Sequence, residues 1–264
     1  MTPNDQPLAY AAQTVAGQVR EHNEDALLCC PELGLWAVAD GLGGHNCGEV
    51  ASAMALQALQ DACASGAALS EAVHAANGAV LAAAEADREC RGMGTTLVAV
   101  RFLGADFQIA WAGDSRAYRL DADGIACLSH DHSWVQAMID AGQMSLDEAR
   151  QHPRRGVIFQ CLGRPDQALE VGLVEGHLQP HELLLLCSDG LTGELTDAQI
   201  QQLCANAGSL EAMVASLVGA ANLMGGHDNI SCIVLGREAT VPAPVNAAKR
   251  PRGLLGRLFK PLRP

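Results

Sequence analysis

Residues 36–45 read WAVADGLGGH, a short apolar run that ends in Asp40 and continues into a glycine-rich turn. The length and composition of the run predict a β-strand that ends at the aspartate. A carboxylate at the end of a buried strand projects from a rigid element, and Gly41 lets the backbone turn closely past a ligand. The segment therefore predicts a core strand with a binding site at its end.

Three more aspartates lie at strand ends. Asp114 follows an apolar run in WAGDSR, Asp189 ends LLLLCSD, and Asp228 precedes the run ISCIVLG. A single aspartate in such a place usually begins a turn or caps a helix. Four of them, together with the acidic pair Glu24 and Asp25, favour a metal cluster instead, because hard divalent cations bind carboxylate oxygens.

Arg20 precedes the acidic pair in the string VREHNED. Its planar guanidinium could bind two oxygens of one phosphate group. The alternative is an ordinary surface arginine, and the string alone does not decide between the two.

The remaining apolar runs predict a sheet-rich chain. Strands are expected at residues 33–37, 96–102, 107–113, 116–120, 183–189 and 230–236. Of these, 96–102, 107–113 and 116–120 could form a meander. The run LLLLCSD is apolar throughout, which is typical of a central strand.

Two alanine-rich stretches, 48–64 and 69–90, predict helices that cover a sheet. In the second, one apolar face is formed by Leu69, Val73, Ala76 and Val80. Two further helix starts are indicated by capping-box spacings, which are Ser145 with Glu148 and Thr196 with Gln199.

Composition excludes several classes of protein. The 264 residues, 49% hydrophobic, can fill the core of one large domain. Aromatic residues are only 3%, which argues against stacking platforms for single-stranded nucleic acid. Six of the 17 basic residues lie in residues 249–264, so residues 1–248 carry 11 basic side chains against 30 acidic ones. An acidic body of this kind repels nucleic acid and attracts divalent cations.

The ten cysteines include no CxxC pair, and most stand singly within apolar stretches. We interpret them as small buried hydrophobic residues in a reducing compartment, with neither disulfide nor metal roles. The first residues do not resemble a signal peptide, and no stretch approaches the roughly 18 apolar residues of a membrane span. A cytoplasmic location is expected.

Seven strings occur in an order that resembles one family. They are VREHNED, AVADGLGGHNCGEVAS, GMGTT, AGDSRAY, DHSWV, CSDGLTGELTD and GGHDNIS. Together they resemble the metal-dependent PPM (type 2C) serine/threonine protein phosphatases of the bacterial stand-alone type, over residues 10–236. The resemblance implies an α+β fold, a four-layer α-β-β-α sandwich of two antiparallel sheets flanked by helices. It places the catalytic domain in residues 1–238, a flap near 140–164 and a basic tail in 239–264.

The resemblance also implies a site that holds two Mn²⁺ or Mg²⁺ ions, and a weaker third. The matching metal residues are Glu24, Asp40, Gly41, Asp114, Asp189 and Asp228. Among these, Asp40 would bridge the two ions and Asp114 would join Asp189 at the third. Asp25 would orient the attacking water and Arg20 would bind the substrate phosphate. The implied reaction is hydrolysis of phosphoserine or phosphothreonine by a metal-activated water, with no covalent intermediate.

Two departures from the family limit what is carried over. Some relatives have a histidine, proposed as the acid for the leaving group, where this chain has Leu42, so no acid is assigned; His45 is expected to be structural. The flap departs from the bacterial pattern at Gly156, Phe159, Gln160 and Cys161. Within it, His152 is a candidate for substrate contact, with a surface or helix-terminal role as the alternative.

Phosphorylated proteins and a cognate bacterial serine/threonine kinase are the expected partners, and a link to type VI secretion is a further expectation. The tail KRPRGLLGRLFKPLRP combines basic and apolar residues, so it could contact anionic lipid or an acidic partner, or remain disordered. Two alternative functions are a catalytically silent phosphoprotein-binding module and a phosphatase of small phosphate esters.

Overall fold

Two antiparallel β-sheets and seven helices are present in the computed structural model, which describes residues 8–43, 47–122 and 124–237. His45 and the tail 239–264 lie outside the described residues. Along the chain the elements are β1 (Leu8–Val15), β2 (Asp25–Cys30), β3 (Leu35–Leu42), α1 (Cys47–Ala64), α2 (Leu69–Ala86), β4 (Gly94–Thr95), β5 (Leu97–Leu103), β6 (Asp106–Ala112), β7 (Arg116–Leu120), β8 (Ile125–Cys127), α3 (Trp134–Asp140), α4 (Leu146–Gln151), β9 (Gly172–His177), β10 (Leu183–Cys187), α5 (Asp189–Thr192), α6 (Asp197–Ala205), α7 (Leu210–Met224) and β11 (Ile230–Arg237).

The two sheets pack face to face around an apolar layer. One has the strand order β1-β11-β10-β7-β8 and the other has the order β2-β3-β5-β6-β9, with β4 paired to β3. Between them lie large side chains such as Trp36, Val98, Ile109, Leu184 and Ile233, all almost fully buried. Strand β10 is central in its sheet, as its uninterrupted leucines predicted.

Helices cover the outer face of each sheet and complete the predicted four-layer α+β sandwich. The pair α1 and α2 packs on the second sheet through small side chains such as Ala51 and Ala76. The predicted face of α2 is confirmed, since Leu69, Val73, Ala76 and Val80 are all buried. Helices α6 and α7 cover the first sheet. No helix within the described ranges is long and apolar enough to cross a membrane.

The predicted meander of three strands is wrong. Strands β5 and β6 pair as a hairpin, but β7 lies in the other sheet, between β10 and β8. The chain crosses between the sheets at Gly113, which has a φ of +111° and whose α-carbon faces the Thr96 side chain so closely that a Cβ would collide with it. The crossing leaves Asp114 between the two sheets.

Both predicted capping boxes are present. The Ser145 hydroxyl accepts from the Glu148 N–H at the start of α4, and the Thr196 hydroxyl accepts from the Gln199 N–H at the start of α6. Each side chain at the third position bonds back to the backbone N–H of the cap. The boxes define where these short helices begin.

The interpretation of every cysteine as a reduced, buried residue is also wrong. Cys47 and Cys90 form a disulfide with their α-carbons 5.3 Å apart. Sequence spacing concealed the pair because 43 residues separate the two positions, and only the antiparallel packing of α1 on α2 returns the chain to the start of α1. The other eight cysteines are free thiols, six of them buried.

Candidate active site

One cavity of about 320 Å³ collects nearly all the predicted site residues. Those that line it are Arg20, Glu24, Asp40, Gly41, Asp114, Asp189 and Asp228. Asp25 is buried behind it, directly opposite Asp40 in the register of β2 and β3. The sequence predicted that these residues would lie together. They do, because the strands that carry them end at the same edge of the sandwich.

Each carboxylate is placed by a strand end. Asp40 lies near the end of β3, and Asp189 opens α5 directly after β10. Asp228 lies two residues before β11, and Asp114 lies between β6 and β7. Because neighbouring strands in each sheet are held in register by hydrogen bonds, the carboxylates have little freedom to move apart.

The backbone of Asp40 is held from the side by two threonines. The Thr95 hydroxyl and the Thr96 N–H donate to the carbonyl oxygen of Asp40, each at 2.9 Å. The Asp40 N–H donates to the Thr96 hydroxyl at 3.1 Å. The GMGTT string therefore supports the site through hydrogen bonds.

Gly41 has no room for a side chain. A Cβ on it would collide with the backbone oxygens of Gly48 and Glu24. Its N–H donates to the Glu24 carbonyl at 3.1 Å. Glycine is required here because α1 and the loop before β2 pack directly against the turn.

Asn229 is a residue that the sequence interpretation missed. Its side-chain oxygen accepts from the Glu24 N–H at 2.8 Å, and its amide group donates to the carbonyls of Ala16 and His22. It therefore holds the loop that carries Arg20 and Glu24. Its position next to Asp228 in the string GGHDNIS was the only available signal.

Arg20 lies at the mouth of the cavity. Its Nη2 donates to Oδ2 of Asp228 at 2.8 Å, while 54% of its side chain stays exposed. That hydrogen bond and the negative charge of Asp228 raise the pKa of Arg20. The guanidinium has five N–H donors, so most remain for a second anion.

Burial and mutual repulsion make the carboxyl groups hard to ionise. Burial raises the pKa of Asp25 to about 7, against hydrogen bonds from serine hydroxyls, and raises that of Asp189 to about 6, with the charge of Asp228 adding to it. The pKa values of Asp40 and Asp114 lie well above their usual range, first through burial and then through neighbouring aspartates. A divalent cation supplies the positive charge that would offset both effects.

The donor set fits Mn²⁺ or Mg²⁺. All available ligands are oxygens, which both ions accept. Among the described residues, no three acidic, histidine or cysteine side chains surround a single point as a closed shell. Such a cage is not needed, because Mg²⁺-type ions keep several waters and take only one or two carboxylates. In addition, no described group hydrogen-bonds the buried Oδ1 of Asp25.

Two residues of the flap reach the site, and His152 lies elsewhere. Gly156 and Ile158 line the cavity. His152 caps the C-terminal end of α4 and stacks on Trp134, with ring centroids 4.7 Å apart. The guanidinium of Arg154 also lies over the Trp134 ring, at 5.1 Å. His152 lines neither this cavity nor the adjoining cavity described below. A substrate would therefore have to extend beyond both cavities to make the predicted contact with His152.

A second cavity, of about 330 Å³, adjoins the first and shares Asp114 and Asp189 with it. We call it the flap cavity. It lies between the helices α3 and α4 on one side and α5 and α6 on the other. One wall is formed by the bidentate ion pair of Arg116 with Asp131, from the strings AGDSRAY and DHSWV.

Known proteins are similar to this chain in both sequence and architecture. The family model for protein phosphatase 2C matches residues 15–222. The serine/threonine phosphatase stp of Listeria innocua is 34% identical over 239 residues, covering 86% of this chain and 94% of its own.

Two solved structures are similar throughout. The catalytic domain of the phosphatase PstP, in complex with two manganese ions, has a TM-score of 0.78 at 32% identity, covering 87% of this chain and 97% of that one. PppA of Pseudomonas aeruginosa, described as a key regulatory component of its type VI secretion system, has a TM-score of 0.77 at 33% identity, with the same two coverages. The chain therefore belongs to the protein phosphatase 2C (PPM) family and is a protein serine/threonine phosphatase.

Proposed function

We propose that the cavity binds two divalent ions, Mn²⁺ or Mg²⁺, and hydrolyses phosphoserine and phosphothreonine in proteins that a bacterial serine/threonine kinase has phosphorylated. The observation that carries the proposal is the convergence of five acidic side chains on one cavity with Arg20 at its mouth. Buried carboxyl groups with raised pKa values are costly unless a cation offsets them.

The metal ligands are proposed residue by residue. Asp40, Asp189, Asp228 and the Gly41 carbonyl would bind the pair of ions, and Glu24 would act through bound water. Asp114 would join Asp189 at a weaker third ion. When bound, such ions lower the pKa of a water and neutralise phosphate oxygens.

The chain's own groups would orient the reactants. Arg20 would bind phosphate oxygens with the N–H groups that Asp228 leaves free. Asp25 would orient the attacking water through Oδ1, since its Oδ2 already accepts from the Ser188 hydroxyl at 2.8 Å. Both placements are in position before substrate arrives, so little reorganisation would be needed.

The peptide around the phosphorylated residue would lie in the flap cavity. That cavity adjoins the proposed metal site and has an apolar wall formed by Val135, Ile139 and Leu146. A small phosphate ester would not reach it. The flap cavity therefore favours protein substrates over small esters, and the complete acidic set argues against a catalytically silent binding module.

Further assignments complete the proposal. The likeness to PppA supports a link to type VI secretion, and the acidic body supports the absence of nucleic acid partners. Contact of the tail 239–264 with anionic lipid or an acidic partner rests on its charge and apolar spacing alone. A cytoplasmic location is part of the same proposal.

The test is phosphate release from a phosphothreonine peptide, with and without Mn²⁺, for the native chain, Asp40→Asn and Asp189→Ala. EDTA and Ca²⁺ are the metal controls, and Asp61→Asn on the exposed face of α1 is the matched control for loss of an acid. We expect Mn²⁺-dependent release that collapses in both site variants and persists in Asp61→Asn. An inactive native chain, or site variants that match it, would contradict the mechanism and favour the binding module.

A further inference from the structure

The disulfide between Cys47 and Cys90 lies beside the proposed metal site rather than in a remote part of the fold. Cys47 is buried at the first residue of α1, and Cys90 is half-buried in the turn that follows α2. Cys47 directly precedes Gly48, which packs against Gly41, and Cys90 lies five residues before Thr95, which donates to the Asp40 carbonyl. The bond therefore joins two segments that both bear on the site.

On one side, Cys47 is followed by Gly48, which packs into the wall of the cavity. A Cβ on Gly48 would lie 2.6 Å from a carboxylate oxygen of Glu24 and 2.9 Å from the carbonyl carbon of Gly41. One turn further along, the Ser52 hydroxyl donates to the Glu24 carbonyl at 2.6 Å. The first turn of α1 therefore backs two of the proposed metal-site residues, Glu24 and Gly41.

On the other side, Cys90 begins the turn that leads into β4. Its carbonyl accepts from the Met93 N–H at 3.0 Å. Strand β4 then pairs with the end of β3, placing Gly94 opposite Leu42 and Thr95 opposite Gly41. Because Thr95 also donates to the Asp40 carbonyl, this turn supports the Asp40–Gly41 segment through its pairing with β3.

We propose that Cys47 and Cys90 form a thiol–disulfide exchange site. Through it, low-molecular-weight thiols and their disulfides would control how strongly the proposed metal site binds divalent ions. With the bond closed, α1 and the β4 turn are joined, and each contacts the Asp40–Gly41 segment. With the bond open, the two segments can separate and divalent ions bind more weakly. Cys161, a buried free thiol whose sulfur lies beside Gly94 of β4, is the neighbour from which the response of this pair must be distinguished.

The exchange is balanced with a thiol as the reductant. A thiolate attacks Sγ of Cys90, the more accessible sulfur, and the bond to Sγ of Cys47 breaks, so that Cys47 leaves as a thiolate and takes up a proton. A second thiolate then attacks the outer sulfur of the mixed disulfide and releases Cys90. Two external thiols have become one disulfide while the protein disulfide has become two thiols. The reverse sequence, with an external disulfide as oxidant, closes the bond.

The first measurement identifies the cysteines that respond. The full chain is equilibrated in glutathione buffers from fully reduced to fully oxidised, quenched with acid, alkylated and mapped by mass spectrometry. We expect Cys47 and Cys90 to be alkylated together in reducing buffer and protected together in oxidising buffer. Alkylation of both after oxidation would overturn the proposal whether or not the chain is a phosphatase.

The second measurement tests coupling to the metal site, and it rests on the proposed function. The Mn²⁺ concentration for half-maximal hydrolysis of p-nitrophenyl phosphate should rise at least threefold on reduction and return on reoxidation. Cys90→Ser should show the high value in every buffer, whereas Cys127→Ser, which removes an exposed thiol on β8, should respond like the native chain. An unchanged native value, or a Cys90→Ser variant that still responds, would contradict the coupling.

A readout without catalysis separates the two proposals. The rise in Tm that Mn²⁺ produces should be larger for the oxidised native chain than for the reduced one, even if no substrate is hydrolysed. The native chain needs no substitution for this comparison, so a folding defect in Cys90→Ser would not obscure it. An equal Mn²⁺-induced rise in both redox states would overturn the coupling.

Discussion

The cavity of the proposed metal site, called the metal cavity below, and the flap cavity share Asp114 and Asp189 but are built from different elements. The walls of the first come from strand ends and glycine turns, where hydrogen bonds from Thr95, Thr96 and Asn229 hold the backbone. The walls of the second come largely from helices of four to nine residues, with exposed side chains such as Leu146. Hydrogen bonds to the backbone hold the groups of the metal cavity in place, whereas the flap cavity is held mainly by side-chain packing.

The difference is consistent with the proposed division, in which the metal cavity carries the chemistry and the flap cavity selects the substrate. Reacting groups must be held within fractions of an ångström, which hydrogen-bonded strand ends provide. Substrate recognition tolerates adjustment, and short helices on the surface can vary without disturbing the sheets. The acidic residues around the metal cavity match the family pattern. Of the positions that depart from it, Gly156, Phe159, Gln160 and Cys161 lie in the flap, and Leu42 lines the metal cavity itself.

The largest expected effect is on the metal cavity. Asp40→Asn should reduce hydrolysis of both p-nitrophenyl phosphate and phosphopeptide by about 100- to 1,000-fold, since it removes a proposed ligand for both ions. In EDTA at pH 7.5 the same variant should be more stable than the native chain, because one buried acid among several is gone. A rise in Tm of about 2–4 °C corresponds to roughly 1 kcal/mol for a domain of this size.

Steady-state kinetics and thermal melts check both directions. Equal losses of activity and of metal-free stability would indicate simple misfolding instead. An effect on phosphopeptide alone would break the comparison between the two cavities, because a variant in the metal cavity should affect every substrate.

The next effect concerns pH. The folded pKa values of Asp25, about 7, and Asp189, about 6, lie above those of an unfolded aspartate. These groups therefore contribute stability below about pH 4 that is lost as pH rises towards 7, at about 1.4 kcal/mol for each unit of separation. Thermal melts in EDTA should show the same loss in the native chain and in Asp61→Asn, which keeps both groups, and a smaller loss in Asp189→Ala, which lacks one of them.

Metal should cancel that loss. With saturating Mn²⁺ the carboxylates are held ionised, so the gain in Tm from Mn²⁺ should increase from pH 5 to pH 7.5. A gain that does not depend on pH would show that the buried acids of the metal cavity are not its ligands. The test also separates the two cavities, because the exposed acid Asp147 of the flap cavity should not contribute to the pH dependence of the rise in Tm.

The smallest expected effect concerns the flap cavity. Arg150 and Arg155 line it and have no ion-pair partner among the described residues. Replacing both with alanine should lower kcat/KM two- to fivefold for a phosphopeptide with acidic flanking residues, as expected for exposed charge contacts of about 0.2–1 kcal/mol. Hydrolysis of p-nitrophenyl phosphate should stay unchanged. A matching loss on the small ester would show that the flap acts on the chemistry as well.

Much of the fold could be predicted because its signals are local. The capping boxes at Ser145 and Thr196, the apolar face of α2 and the leucine run of β10 each depend on residues close together in the chain. The edge strands of both sheets, β1, β2, β8 and β9, were not predicted. Most of their residues are exposed or half-buried, since an edge strand has a paired neighbour on one side only.

Long-range features were predicted only as far as local residue types allowed. The acidic strings indicated a metal site, yet the contributions of Asn229 and Ser188 depend on pairings across more than 160 residues. The prediction of a three-stranded meander was wrong for a similar reason, because no local pattern in residues 96–120 indicates that the chain changes sheets at Gly113. His152 stacks on Trp134, a contact that its position in the flap did not indicate.

The amino-acid sequence by itself determined the family, the acidic residues of the proposed site and the helices and strands with strong periodicity, because each depends on residue type and near neighbours. Only the tertiary structure decided that Cys47 meets Cys90, that Asp114 lies between the sheets and that two cavities meet at Asp189. The physical reason is that these contacts join segments distant in the chain, and packing two sheets and their helices around shared apolar layers determines which segments meet.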